Sequence, residues 1–214
     1  MVKGTPCFNA DCQRCSRLAG FLDGLREKYP DYHNGPVPPF GSATPRLLIV
    51  GLAPGMHGAN ASGRPFTGDF AGILLYETLH AAGLASAPTS ESADDGLQLH
   101  DCRITNAVKC LPPENKPIGA EINACNDYLA AELAGLDPAA VVLALGGIAH
   151  RAVVRAEAGR QKDFPFGHGA VAVLPSGRQL VSSYHCSRYN TQTRRLTPAM
   201  FEAVVRHARD LALP

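Results

Sequence analysis

Apolar residues recur along this chain in two rhythms. The runs Arg46–Gly51 (RLLIVG) and Ala139–Leu145 (AAVVLAL) are almost continuously apolar, as strands covered on both faces of a parallel sheet should be. Cys102–Val108 (CRITNAV) and the pair Ala170–Leu174 and Gln179–Tyr184 read as further buried parallel strands. Between them, apolar positions fall three and four apart, the helical spacing. Ala71–Ala82 carries Ile73, Leu75 and Leu79, and Gly119–Ala134 carries Ile122, Tyr128, Leu129 and Leu133; Gly147–Glu157 and Pro198–Leu211 follow. Residues 12–28 predict an N-terminal helix with Leu18, Phe21, Leu22 and Leu25 on one face. Strand and helix alternate, so the expected fold is α/β with helices on both faces of the sheet. Two stretches break the rhythm. Residues 29–45 (YPDYHNGPVPPFGSATP) read as an extended wrap, and Ala85–His100 as a long loop holding Glu91, Asp94 and Asp95. No repeat and no linker divides the chain, so residues 1–214 are expected to form a single domain, with 1–45 as its N-terminal helix and wrap.

Composition narrows the classes. Lys and Arg number 20 against 19 Asp and Glu, a net charge of +1 over 214 residues. That balance argues against a chain held to nucleic acid or membrane by its global field, though not against a local basic patch. The start, MVKGTPCFNADC, lacks an apolar leader, and the longest apolar stretch, 139–149, is too short to cross a bilayer. A cytoplasmic protein without membrane contact is expected. In that setting seven cysteines point to metal or redox chemistry rather than a disulfide framework.

Ligands of open α/β sheets bind beyond the C-terminal ends of the strands. The segments that follow strands here are rich in Gly, Asn, His and Pro. GLAPG (51–55) lacks the Walker lysine and the dinucleotide pattern, so it offers backbone N–H groups rather than a phosphate signature. Phe66, an apolar residue in a polar loop, either stacks on a flat ligand or folds back onto the core. Asp69 precedes a helical run, so it is either an N-cap or a carboxylate aimed into a cleft. Asn106 ends a strand and can read a paired donor–acceptor edge or satisfy local backbone. His185 also ends a strand. Cys186 beside it is read as structural, since neighbouring strand residues face opposite ways. Cys12 and Cys15 form a C-x-x-C, and with Cys110 and Cys125 could supply four thiolates to zinc or an iron–sulfur cluster. Cys7, Cys12 and Cys15 alternatively have the spacing of plant-type ferredoxins, and ordinary buried thiols are the third reading. Cys102 belongs to the core.

Taken in order, GLAPG (51–55), GRPFTGDFAG (63–72), TNAVKC (105–110), HCSRYNTQTRRLT (185–197) and the four cysteines resemble the uracil-DNA glycosylase superfamily, within it the iron–sulfur-containing family 5. The resemblance runs from Cys12 to about Pro198. It implies a three-layer αβα sandwich around a central parallel four-stranded sheet. It also implies a [4Fe–4S] cluster on Cys12, Cys15, Cys110 and Cys125, with Cys7 spare. Phe66 would stack on a flipped base, Asn106 read its edge, His185 contact the leaving base, and Asp69 supply the catalytic carboxylate. Gly51, Leu52, Ala53, Gly55, Ser187, Arg188 and Asn190 would complete the substrate site. The implied activity is monofunctional removal of uracil, and of other deaminated bases such as hypoxanthine and xanthine, from double-stranded DNA by a monomer. A uracil-only enzyme and a non-catalytic iron–sulfur nucleic-acid-binding or electron-carrier protein are the alternatives. Two departures stand out: Cys186 replaces the usual proline, and Arg194 a common glycine. Arg64, Lys109, Lys116, Arg188, Arg194 and Arg195 are expected to form a basic rim. Glu91, Asp94 and Asp95 would cancel it from a loop with no motif residue, and 188–195 would fill the gap left by the base.

Overall fold

The structure is a computed structural model that describes residues 7–214; residues 1–6 of the expected N-terminal segment lie outside the described residues. In chain order it contains α1 (Ser16–Lys28), β1 (Phe40–Gly41), β2 (Leu47–Gly51), α2 (Ala59–Ser62), α3 (Phe70–Ala81), β3 (Cys102–Asn106), α4 (Gly119–Ala134), β4 (Val141–Leu145), α5 (Gly147–Ala156), β5 (Val171–Val173), β6 (Gln179–Ser183), α6 (Arg188–Gln192) and α7 (Pro198–Ala212). Among the described residues no helix is long and apolar enough to cross a membrane.

β2 and β4 are buried at all five positions. Successive side chains of a strand point to opposite faces, so such a strand must serve two cores. In β2, Leu47 and Ile49 join a cluster with Leu75, Leu79, Phe201 and Val205 from α3 and α7. Leu48 and Val50 join Leu129, Leu133, Ala152 and Val153 from α4 and α5. The result is the three-layer α/β sandwich expected. The sheet order is β1-β3-β2-β4-β6-β5, with β3, β2, β4 and β6 parallel.

The sheet has six strands rather than four, because each edge of the parallel core carries a short antiparallel strand. The apolar pattern predicts one of these, at 170–174, as a buried parallel strand. β5 instead folds back antiparallel to β6 and leaves Val171 and Val173 on the surface. A tight turn makes the hairpin: Leu174 N–H donates to Arg178 O and Gly177 N–H to Leu174 O, both at 2.8 Å. The other strand limits shift slightly. β3 ends at Asn106, and Ala107 and Val108 then donate to Gly51 O and Leu52 O outside the regular ladder. On α3, Leu75 and Leu79 are buried as expected, but Ile73 faces solvent and Tyr76 takes its place in the core. The first helix begins at Ser16, with Cys15 at its N-cap.

α1 lies against α4 and the segment after β3. Leu18 packs with Cys125, Tyr128 and Val108, while Leu22 and Leu25 pack with Leu111. Behind β3, a buried polar cluster replaces apolar contact. Lys109 Nζ donates to Thr105 Oγ1 and reaches Glu132 Oε2 at 3.3 Å, and Arg103 approaches Glu132 Oε1 at 3.7 Å. Lys109 is therefore not part of a basic rim. Its charge predicts exposure, but a fully buried carboxylate on α4 draws the ammonium inside.

Candidate active site

The four parallel strands point their C-terminal ends the same way, which gathers the segments after β2, β3 and β6 into one cleft of about 370 Å³. Leu52, Ala53, Gly55, Phe66, Asp69, Asn106, His185, Ser187 and Arg188 line it, and all nine are residues the sequence predicts for the site. Gly51 and Asn190 lie just behind the wall. A Cβ on Gly51 would stand 2.5 Å from Asn106 Oδ1 and 2.7 Å from the Phe66 ring, so only glycine lets these side chains meet the strand. Asn190 Nδ2 donates to His185 O at 2.8 Å and so fixes the backbone that carries the histidine.

Asp69 fulfils both readings at once. Its Oδ1 accepts from Gly72 N–H at 2.8 Å and caps α3. Its Oδ2 lies over the loop after β2, where a Cβ at Gly58 would come within 2.9 Å of it. Burial raises the carboxyl above its ordinary value, against the lowering pull of the Gly72 and Ala71 N–H groups. His185 moves the other way: burial pulls the imidazole down to about 4, so it is neutral at neutral pH. Its ring lies 5.8 Å from the Phe66 ring at an interplanar angle of 26°. Asn106 is 3% exposed, and its Oδ1 has no hydrogen-bond partner. A buried carboxamide oxygen left unpaired costs about 1–3 kcal/mol, and at the cleft wall this one is free to accept a hydrogen bond. Phe66 holds a left-handed backbone, φ 57°, at a cost of about 1–2 kcal/mol for a residue other than glycine.

Ala59, Phe70, Ala71 and Asn115 also line the cleft, and sequence reasoning misses all four. Asn115 lies in a left-handed turn after β3, and the PPENKP composition is its only signal. α6 stands where a loop is expected; Ser187 Oγ caps it by accepting from Asn190 N–H. Cys186 is fully buried beside the cleft, and burial pushes its thiol up.

The basic rim is smaller than expected. Arg64 is 4% exposed and bound to Asp95, so the acidic loop does engage a motif residue. Lys116 is exposed but pairs with Glu114. Arg188 lies over the Phe70 ring and Arg195 over the Tyr184 ring, both exposed along with Arg194. These three arginines form the rim that remains.

Cys12, Cys15, Cys110 and Cys125 line a second cavity between α1, α4 and the segment after β3. All four are free thiols, whereas Cys7 is exposed and outside that cavity. Lys109 N–H donates to Cys125 Sγ at 3.3 Å. Burial pushes Cys110 up to about 12, with Cys125, Cys12 and Cys15 adding to the rise. Four cysteine sulfurs lining one apolar cavity are a soft donor set of the kind that suits zinc or an iron–sulfur cluster. Among the described residues no three His, Cys, Asp or Glu side chains converge on a single ion.

The family model of the uracil DNA glycosylase superfamily matches residues 38–209 of the chain. A type-5 uracil-DNA glycosylase of Thermus thermophilus is 46% identical over 206 residues, covering 94% of each chain. One from Mycobacterium leprae is 44% identical over 94% of this chain and 91% of its own. A type-4 uracil-DNA glycosylase of Archaeoglobus fulgidus is 37% identical over 50% of this chain and 46% of its own.

Proposed function

As the chain belongs to the uracil-DNA glycosylase superfamily and is a DNA glycosylase, we propose that it hydrolytically removes uracil, and with it hypoxanthine and xanthine, from double-stranded DNA as a monofunctional monomer. The unpartnered Asn106 Oδ1 carries this reading. Uracil offers an N–H donor beside a carbonyl acceptor. A carboxamide meets that pair with its own acceptor and donor, while cytosine presents an acceptor where the donor should be. Hypoxanthine and xanthine share the uracil edge, which supports the wider substrate range.

The target base lies inside the stack, and extruding it costs a few kcal/mol, least at a mismatch. Phe66 offsets this by stacking, worth about 1–3 kcal/mol per base. Bond cleavage leaves a cationic sugar and an anionic base. The Asp69 carboxylate stabilises the sugar and takes a proton from the attacking water. His185, neutral in its half-buried setting, donates its ring N–H to the base oxygen as charge gathers there. Loop backbone N–H groups around Ala53 and Gly55 reinforce it. No lysine lines the cleft among the described residues, which supports water rather than an amine as nucleophile and an abasic product in an uncut strand. A non-catalytic carrier would need none of this constellation.

Cys12, Cys15, Cys110 and Cys125 would hold a [4Fe–4S] cluster, whose contribution there is a cross-link between the N-terminal helix and the sheet. Lys109 orients Cys125 through its N–H. Purified protein incubated with duplexes containing uracil, hypoxanthine or xanthine and then treated with alkali should give breaks at all three. Breaks at uracil alone select the narrow enzyme, and breaks at none refute the reading. Cys110→Ser should abolish visible absorbance; an unchanged spectrum removes it from the ligand set.

A further inference from the structure

Phe66 is held in place by a segment outside all the motifs. Arg64, two residues before it, buries its guanidinium and shares it among three partners. Nε donates to Thr67 Oγ1 at 2.9 Å, and Nη2 to Ser90 Oγ at 2.7 Å and to Asp95 Oδ2. Thr67 and Ser90 hydroxyls meet at 2.6 Å, and Gly68 N–H donates to Ser90 O. Asp95 in turn accepts from the N–H groups of Glu91 and Leu97, which folds its loop around the guanidinium. On the other side, Tyr76 OH donates to Pro65 O at 2.7 Å, and a Cβ on Gly72 would stand 1.8 Å from Phe66 O. The strained Phe66 conformation is thus gripped between the first turns of α3 and the 85–100 loop. A left-handed aromatic residue persists only where its surroundings over-determine it.

Resting on the base-stacking role proposed for Phe66, we infer that Asp95 and Ser90 are positioning residues for base excision: through Arg64 and Thr67 they lock the Phe66 ring in the orientation that receives the flipped base. Asp95 touches no reacting atom. Its Oδ2, as a hydrogen-bond acceptor, keeps the buried guanidinium in place, and the guanidinium sets the turn.

A double-mutant cycle tests this, read as the single-turnover excision rate on a uracil duplex and, separately, as duplex affinity. Asp95→Ala should slow excision about tenfold with little change in affinity. Asp95→Asn, which keeps an acceptor for Arg64, should recover most of the rate. In a Phe66→Ala background, Asp95→Ala should change the rate by less than about twofold, since residues that act through one another do not add. Ser90→Ala should show the same dependence on Phe66 and serves if Asp95→Ala does not fold. Glu157→Ala, which breaks the buried Arg178–Glu157 pair elsewhere, should lower Tm without slowing excision. Equal effects of Asp95→Ala with and without Phe66, a Glu157→Ala enzyme as slow as Asp95→Ala, or a Phe66→Ala enzyme as fast as the parent would each overturn the inference. Uracil excision by the parent protein decides the glycosylase reading independently.

Discussion

Asp69 and His185 are both titratable and both enclosed, and enclosure moves them in opposite senses. The carboxyl rises and the imidazole falls to about 4. In the proposed mechanism the active forms are the ionised aspartate and the neutral histidine. As pH falls, the rate should drop through the raised Asp69 value, above 3.8, and no limb should appear near the ordinary histidine value of 6.5. Asp69→Asn should lower single-turnover excision by about 10²–10⁴-fold and flatten the acid limb. A limb near 6.5 that survives in Asp69→Asn would assign the titration elsewhere. At this scale the sequence is informative where a residue type and its place after a strand coincide, as for Asn106 and His185. It is ambiguous for Asp69, because capping a helix and facing a cleft are compatible when the cap sits at the cleft wall. It misleads for Arg64 and Lys109, because a charge is exposed by default and only a distant partner brings it inside. Asp95 and Glu132 are those partners, 31 and 23 residues away.

Among elements, β2 and β4 are legible because continuous apolar runs have few alternatives. β5 is not: Val171, Ala172 and Val173 are apolar, yet a Gly-containing turn sends the strand back along the sheet edge, where one face stays wet. α6 is hidden because five residues carry too little periodicity. The junction between β3 and α4 is equally invisible. It rests on Lys109, Thr105, Glu132 and Arg103, whose net effect on stability depends on completeness. Glu132→Ala should cost about 3–5 kcal/mol by leaving Lys109 buried without its counter-charge. The Lys109→Met, Glu132→Leu double variant should recover much of that stability. Urea midpoints of the two proteins check this, and a double variant less stable than Glu132→Ala would refute it.

For the molecule as a whole, near-neutral charge and a nucleic-acid substrate are reconciled by position. Several basic residues are consumed inside the fold, while Arg188 stays exposed at the cleft and Arg194 and Arg195 stay exposed on the segment that follows it. Duplex affinity should therefore fall gently with salt, through few phosphates. Replacing Arg194 and Arg195 by Gln should reduce the slope of log affinity against log salt by about 0.9 for each phosphate no longer neutralised. An unchanged slope would place the DNA backbone elsewhere. The two short border strands have a different consequence. Four parallel strands alone would end in two open ladders of unpaired N–H and C=O groups, a template for joining a neighbouring molecule. β1 offers only two residues and β5 only three. What an incoming strand would find at either border is too brief to extend, so the sheet that builds the cleft is also guarded against polymerising through its sides.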